Sequence, residues 1–284
     1  MDKQKAKTVV VTGKGGVGKT TFTAMLAPAL MTRFGRVLII DGDPDLNLNL
    51  MLNLPDPAAT VADIKDEPLK AKDVRKSGKT AVGYLQDRLK EAGVISRHQI
   101  EGIAVDFMAM GVTKEHGCYC AVNNALAGVF TEIQTSYDLV LIDSPAGTEH
   151  LSRQRVKQAD LFIVIQTPTS AARAVAWRIQ ETAARSDMTI GHTLVVDNQL
   201  PTNGIGLSAP ARGMVVVESR AGYSQVALPY NYQLAISHNT PYQTMLTTNP
   251  LLLQQVADGI EGLLNGQPTI GLPVKTAVPA PYRH

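Results

Sequence analysis

Residues 13 to 20 decide the fold: they read Gly-Lys-Gly-Gly-Val-Gly-Lys-Thr and directly follow the apolar run Thr8–Val11. The stretch fits the phosphate-loop pattern G-x-x-x-x-G-K-[ST] at every fixed position. It predicts a strand that ends near Thr12 and a helix that follows at once, so that backbone N–H groups point at an anion. Lys19 can then reach the β- and γ-phosphates of a nucleotide, and the hydroxyl of Thr20 can hold Mg²⁺.

The composition is that of an ordinary globular protein. The chain has 284 residues, of which 44% are apolar and 18% charged. Its net charge of +2 is too small to indicate a polyanion partner by itself. No apolar run approaches the roughly 20 residues of a membrane span, and a strand-like run follows the polar start directly, without a secretory signal. These features predict a cytoplasmic protein that does not bind membranes.

Short β-branched runs alternate with helix-like stretches along the chain. Several runs are apolar throughout, which is typical of strands buried on both faces of a parallel sheet. The alternation predicts an α/β fold, a doubly wound, mostly parallel sheet of about seven or eight strands. The predicted strands are Thr8–Val11, Val37–Ile40, Val105–Met108, Leu139–Ile142, Leu161–Ile165, Leu194–Val196, Val215–Val217 and Val226–Leu228. The predicted helices are Lys19–Phe34, Val122–Gln134, Ala171–Ala184 and Tyr242–Leu264.

The domain organisation is predicted to be simple. Residues 1–265 are expected to form one nucleotide-binding domain. Residues 55–100 are charged and less clearly patterned, so they are interpreted as a helical insertion on the surface. Residues 266–284 contain four prolines and cannot continue a helix, so an extended or flexible tail is expected there.

Acidic residues follow two of the predicted strands. Asp43 comes just after the second run, where its carboxylate can orient the attacking water or hold Mg²⁺ through water. Asp143 ends the fourth run, the expected place for the carboxylate that completes the Mg²⁺ shell. Gly147 leaves its N–H free to approach a γ-phosphate. Asn198 follows a later strand and can read a purine ring or simply form a turn; the guanine-reading Asn-Lys-x-Asp element is absent near it, which favours ATP.

The chain has two cysteines, Cys118 and Cys120, separated by one tyrosine. Two thiolates are too few for a closed tetrahedral metal site, but a homodimer with its twofold axis nearby supplies four. Four sulfurs suit Zn²⁺ or an iron–sulfur cluster, and they can also hold Ni²⁺. His116 is a further candidate ligand. The alternative is a pair of ordinary buried thiols.

A second alternative concerns a basic run in the expected insertion. Its members are Lys70, Lys72, Arg75, Lys76 and Lys79. Such a run can contact nucleic-acid phosphates, but Asp73 interrupts it and most charge runs are solvated surface. Nucleic-acid binding is therefore not the expected function.

Four segments carry a family resemblance. Residues 14–21 resemble the deviant phosphate loop of the MinD/ParA/nitrogenase iron protein superfamily, with its extra lysine at Lys14. Residues 41–44, 117–123 and 146–153 look like the corresponding segments of CooC-type ATPases, which mature the nickel site of carbon monoxide dehydrogenase. The likeness covers roughly residues 7 to 240.

The resemblance implies roles for individual residues. Lys14 would reach across a nucleotide-bound homodimer to the phosphates held by the partner. Lys14 and Lys19 would both take part in catalysis. Asp43 would position the water, and Asp143 would complete the Mg²⁺ shell and relay the nucleotide state. Cys118 and Cys120 would form a Zn²⁺ or Ni²⁺ site shared across the dimer axis. The expected contacts to ATP or ADP are those of Gly13, Lys14, Gly15, Gly16, Val17, Gly18, Lys19, Thr20, Thr21, Asp143, Gly147 and Asn198.

The expected function is therefore that of a dimerising Mg-ATP hydrolase that delivers nickel to a client such as carbon monoxide dehydrogenase. The alternative is a ParA/MinD-like positioning switch. Electron transfer by a bridging iron–sulfur cluster is disfavoured, because nitrogenase-type relatives need a second cysteine where Ala146 stands here.

Overall fold

A nine-stranded sheet forms the centre of the computed structural model, which describes residues 6–66, 71–112, 134–145, 158–200, 215–220, 223–229 and 250–267. In chain order the strands are β1 Lys7–Gly13, β2 Val37–Asp41, β3 Ile95–Ile100, β4 Ile103–Ala109, β5 Leu139–Asp143, β6 Gln158–Gln166, β7 Thr189–Leu200, β8 Val215–Arg220 and β9 Tyr223–Pro229. Their order across the sheet is β3-β4-β2-β5-β1-β6-β7-β9-β8. The seven strands from β4 to β9 in this order pair in parallel, and β3 and β8 pair antiparallel at the two edges.

Helices cover both faces of the sheet. They are α1 Lys19–Met31, α2 Leu48–Met51, α3 Val61–Asp66, α4 Ala71–Ser77, α5 Ala81–Glu91, α6 Ser170–Arg185 and α7 Pro250–Leu264. A short 3₁₀ turn spans Gln134–Ser136. One buried cluster joins α1, α2 and α7 to the sheet, and a second joins α3, α5 and α6 to the opposite face. Because apolar side chains alternate between these clusters along β1 and β5, both strands are buried on two sides.

The fold prediction is confirmed in its class and in its main elements. Each of the eight apolar runs lies in a strand, and the phosphate loop joins β1 to α1. Helix α1 ends at Met31, three residues before the predicted end, and α6 exceeds its predicted range by one residue at each end. The predicted helix over 122–134 lies almost wholly outside the described residues, as does the first part of the helix predicted over 242–264.

The segment interpreted as a helical insertion contains a strand that was not predicted. Helices α3, α4 and α5 lie within residues 55–100, but Ile95–Ile100 forms β3, which pairs antiparallel with β4. The two residues that join them, Glu101 and Gly102, have φ values of 51° and 77°. Positive φ at both central residues gives a turn whose twist suits a hairpin. The insertion is therefore helical only up to Glu91, and its end extends the sheet.

None of the helices in the described ranges is long and apolar enough to cross a membrane.

Candidate functional site

The phosphate loop wraps the carboxyl end of β1, in the middle of the sheet. Gly16 and Gly18 have φ values of 79° and 91°, a backbone region that glycine enters without strain. Gly13 has no room for a side chain, since a Cβ there would lie 2.3 Å from the carbonyl oxygen of Ile165 in β6. The loop is therefore shaped by contacts with the neighbouring strand as well as by its own turns.

Helix α1 begins at the end of this loop with an open N-terminus. Gly18 is its N-cap residue, no side chain caps it, and its first turn contains no acidic residue. The first N–H groups of a helix have no partners within the helix and carry a partial positive charge. This end of α1 is therefore suited to bind an anion.

Lys19 lies at this point with its ammonium group drawn into the protein. The residue is 6% exposed, and Nζ lies 3.4 Å from the carbonyl oxygen of Lys14. Desolvation lowers the pKa of Lys19, while the nearby carboxylates of Asp143 and Asp43 oppose that shift. A phosphate group offers this ammonium a much stronger partner than one carbonyl oxygen does.

Asp143 ends β5 beside the loop and is 1% exposed. Its Oδ1 accepts a hydrogen bond of 3.2 Å from the Thr23 hydroxyl on α1, while Oδ2 is buried without a hydrogen-bond partner. Desolvation raises the pKa of Asp143 to about 7, and the charge of Asp41 adds to the rise; the hydroxyls of Thr20 and Thr23 and the charge of Lys19 act against it. A cation near Oδ2 would stabilise the ionised carboxylate.

Asp41 ends β2, in register with Asp143 on the adjacent strand β5. Its two carboxylate oxygens accept hydrogen bonds of 3.0 Å from the backbone N–H groups of Asp43 and Leu48. Desolvation raises the pKa of Asp41 to about 6, against the opposing effect of these two bonds. Asp41 thus fixes the backbone that carries the half-buried Asp43. The Oδ1 of Asp43 in turn accepts a hydrogen bond of 3.1 Å from the backbone N–H of Asp45.

Asn198 holds the phosphate loop from the other side. Its amide Nδ2 donates a hydrogen bond of 2.9 Å to the carbonyl oxygen of Val17, across 181 residues of sequence. The contact places the end of β7 next to the loop. Contact of Asn198 with a purine ring stays a prediction.

The predicted phosphate and magnesium residues thus meet at one edge of the sheet. The structure brings together the loop residues 13–20 with Asp43, Asp143 and Asn198, and it leaves Lys14 exposed. Gly147, Cys118, Cys120 and His116 lie outside the described residues. Asp41 and Thr23 were missed as functional residues; the signal for Asp41 was its place at a strand end in Asp-Gly-Asp, and nothing local signals Thr23.

These residues fit a magnesium-bound nucleotide. The uncapped helix start and the buried Lys19 suit phosphates, and the orphaned Oδ2 of Asp143 suits a cation held directly or through water. Within the described ranges no group of three or more His, Cys, Asp or Glu side chains is placed to hold a metal by itself. A cation here would therefore depend on phosphate oxygens and water for most of its ligands.

Comparison with known proteins agrees with this chemistry. The AAA domain family matches residues 6–187, more than half of the chain. An uncharacterized ATP-binding protein of Methanocaldococcus jannaschii is 35% identical over 194 residues, which are 68% of this chain and 74% of that protein. The carbon monoxide dehydrogenase accessory protein CooC of Rhodospirillum rubrum is 28% identical over 176 residues, 61% and 67% of the two chains. The septum site-determining protein MinD of Synechocystis is 28% identical over 265 residues, 89% and 88%.

Two solved structures share the fold. An ATP complex of Cyanothece McdA aligns over 96% of this chain and 99% of its own, with a TM-score of 0.61 and 15% identity. The septum site-determining protein MinD of Pyrococcus horikoshii, solved with Mg-ADP, aligns over 91% and 98% with a TM-score of 0.54 and 18% identity.

Proposed function

The chain belongs to the AAA domain family and to the MinD/ParA superfamily of ATPases, and from this premise we propose that it is a dimerising nickel-maturation ATPase. Its activity as an ATP hydrolase agrees with the family match and with the site. The finer proposal is that ATP turnover drives delivery of nickel to a metalloenzyme, with carbon monoxide dehydrogenase as the client. We place this activity in the cytoplasm.

The hydrolytic step is assigned to residues of this chain. Bound Mg-ATP would supply the phosphoanhydride bond that water cleaves and the cation that screens the phosphate charge. Lys19 and the open start of α1 bind the phosphate oxygens. Thr20 and Asp143 would hold the cation, and Asp43 would orient the attacking water. Asp41 keeps the backbone of Asp43 in place through its hydrogen bond to that residue's N–H.

The sequence Cys118-Tyr119-Cys120 carries the nickel part of the proposal. These are the only cysteines of the chain, and their close spacing makes them a candidate pair of metal ligands. The similarity to CooC supports the same reading. Nickel would be cargo here: its binding by four thiolates requires two protomers, each of which supplies Cys118 and Cys120.

The homodimer is also needed for the nucleotide site as proposed. Lys14 is exposed, although it is the second residue of the phosphate loop. An exposed lysine at this position is free to contact a nucleotide held by a second copy of the chain. The dimer would therefore form when ATP binds and reopen when ATP is hydrolysed, a two-state element biased by the nucleotide.

Metal content and oligomer mass, measured on anaerobically purified protein, test the proposal. With a slowly hydrolysed ATP analogue we expect a dimer that carries about one Zn²⁺ or Ni²⁺. Cys118→Ala and Cys120→Ala should each abolish the metal and keep nucleotide binding. Lys19→Ala is the complementary variant: it keeps both cysteines, but the loss of the nucleotide should also remove the dimer and with it the shared metal site. A nucleotide-dependent dimer that never binds metal would refute nickel delivery and leave the ATPase assignment intact.

A positioning switch of the ParA/MinD type is the second candidate. The match to MinD extends over 89% of this chain, more than the match to CooC. Lys72, Arg75 and Lys76 are exposed on α4, and Lys79 follows them in an ion pair with Asp87. If this function is correct, reversing the charges on α4 should abolish ATP-dependent DNA binding, and the two cysteines should be dispensable.

A further inference from the structure

The outward face of α6 bears a large, exposed aromatic side chain. It carries Trp177, the only tryptophan of the chain, which is 64% exposed. The opposite face packs into the core through Ala176, Ile179 and Ala183. A tryptophan is normally mostly buried, because its indole presents a large apolar area. Its exposure on a well-anchored helix leaves this apolar area available to a partner.

Two arginines flank the indole on this face. Arg173 lies one helical turn before Trp177, and Arg178 follows it directly; both are exposed. Neither forms an ion pair with any other described residue. Arg185, further along, pairs with Glu181 at 3.6 Å. The first three turns of α6 thus present an aromatic ring between two guanidinium groups that no carboxylate of the described residues neutralises.

This face starts next to the nucleotide edge of the sheet. Helix α6 follows β6, and Ile165 of β6 is in register with Gly13 of the phosphate loop. The Thr169 hydroxyl caps the helix by accepting from the N–H of Ala172 at 3.2 Å. Because the cap and the core contacts fix α6, its surface keeps a set position relative to the loop. A partner bound to this face would lie beside the site of hydrolysis.

We propose that this face, formed by Arg173, Ala174, Trp177 and Arg178, docks an acidic segment of a partner protein. Planar guanidinium groups pair well with carboxylates, and Trp and Arg are the residues most enriched at the centres of protein interfaces. The small side chain of Ala174 lets a partner approach the helix. The proposal concerns an interaction that neither ATP hydrolysis nor nickel binding requires, so it stands apart from the function proposed above.

Other anionic partners fit this face less well. Backbone binding to nucleic acid needs a row of cations that neutralise several phosphates. This face has only two arginines that no described carboxylate pairs with, and it is bordered by Glu181 and the exposed Asp187. Membrane binding by an interfacial helix needs a broad apolar side, and here the apolar side faces the core. One indole and two arginines match an acidic peptide with one apolar anchor residue.

Tryptophan fluorescence gives a direct test on the full chain, since selective excitation reports Trp177 alone. The probe is a random glutamate–tyrosine copolymer, which supplies carboxylates and aromatic rings. We expect a saturable blue shift of the emission as the copolymer covers the indole. The double variant Arg173→Glu/Arg178→Glu should weaken this binding by about tenfold or more. The matched control is Lys72→Glu/Arg75→Glu, which makes the same charge change on α4 and should bind as the wild type does.

Three results would overturn the proposal. The first is no spectral change with the copolymer, or an equal loss in the α4 control, which would indicate general charge attraction. The second is tighter binding to oligodeoxythymidylate or to phosphatidylglycerol vesicles than to the copolymer. The third is sedimentation evidence that self-association buries Trp177. Basal ATP turnover and thermal melting should match the wild type in Arg173→Glu/Arg178→Glu, and thermal melting should match it in the α4 control, which shows that both variants are folded. Arg173→Gln/Arg178→Gln replaces the reversal if it does not fold.

Discussion

Replacing Asp143 by asparagine should make the nucleotide-free protein more stable at alkaline pH. Burial raises the pKa of this carboxyl from 3.8 to about 7. Between about pH 4 and pH 7, the folded state therefore keeps a proton on this carboxyl that the unfolded chain has already released. The stabilisation from this proton is fully present below about pH 4 and is lost as pH rises through 7. Above that, the folded protein must hold a buried negative charge, and asparagine removes it.

The size of the effect follows from the shift. A difference of about three pKa units corresponds to about 4 kcal/mol between the two protonation states. The asparagine side chain can still accept a hydrogen bond from the Thr23 hydroxyl. Its amide N–H groups, however, would take the place of the unpartnered Oδ2, and leaving them buried without an acceptor costs about 1–3 kcal/mol. The attraction to Lys19 is already contained in the net pKa shift of Asp143 and is not subtracted again. We expect a net gain of about 1–3 kcal/mol at pH 8 and a net loss of about 1–3 kcal/mol near pH 4, where the wild-type carboxyl is protonated in both states.

Urea unfolding of the apo protein in a chelator, from pH 4.5 to 8.5 (about one point per half unit), measures this difference. The curve for Asp143→Asn should rise relative to the wild type through the interval from about pH 5 to 7 and run parallel above it. The exposed Asp187→Asn is the control and should follow the wild type. Some pH dependence should remain in Asp143→Asn, because the pKa of Asp41 is also raised, to about 6. A difference that is constant across the whole range would refute the reasoning.

Three further outcomes are expected. Asp41→Asn should lower kcat for ATP by about tenfold and leave the nucleotide dissociation constant nearly unchanged. The substitution disturbs the backbone at Asp43 and Leu48 but removes no contact to a phosphate. An equal loss of affinity would show that the fold had failed. Gly13→Ala should abolish ATP binding in calorimetry, because the new Cβ would lie 2.3 Å from the Ile165 carbonyl oxygen. The control is Gly83→Ala on α5, whose Cβ would meet no atom closer than 3.5 Å and which should bind ATP as the wild type does. Arg33→Ala should cost about 1 kcal/mol in urea unfolding, because Arg33, two residues after the end of α1, pairs with Asp258 and Glu261 of α7. No change would mean that solvent already screens these pairs.

Most of the fold was predictable because the sheet is buried on both sides. A doubly buried strand must be apolar throughout, so the runs at β1, β5 and β6 are visible in the sequence. Strand β3 was not visible, since it lies at an edge and mixes polar with apolar residues in Ile95–Ile100. Its hairpin turn, Glu101-Gly102, is a weak signal, because only the glycine of the pair favours positive φ.

The site was predictable where the chemistry is local and hidden where it depends on distant strands. The phosphate loop is a contiguous motif, and strand-end carboxylates are expected at the ligand edge of a parallel sheet. The bond from Asn198 to Val17 joins residues 181 positions apart, and that from Thr23 to Asp143 joins residues 120 apart. Contacts of this kind follow from strand order and register, which single residues do not encode.

The strand order also explains why this edge of the sheet destabilises the empty protein. Register places Asp41 beside Asp143, so that two buried carboxyl groups lie at adjacent strand ends. Burial raises the pKa of both groups, and the charge of Asp41 raises that of Asp143 further. A sheet selected for stability alone would have apolar residues there. A Mg²⁺ ion reverses the balance, because its charge favours both ionised carboxylates and its binding free energy is then added to that of folding. The same two carboxylates that lower the stability of the apo protein would therefore make the closed, nucleotide-bound state the more stable one.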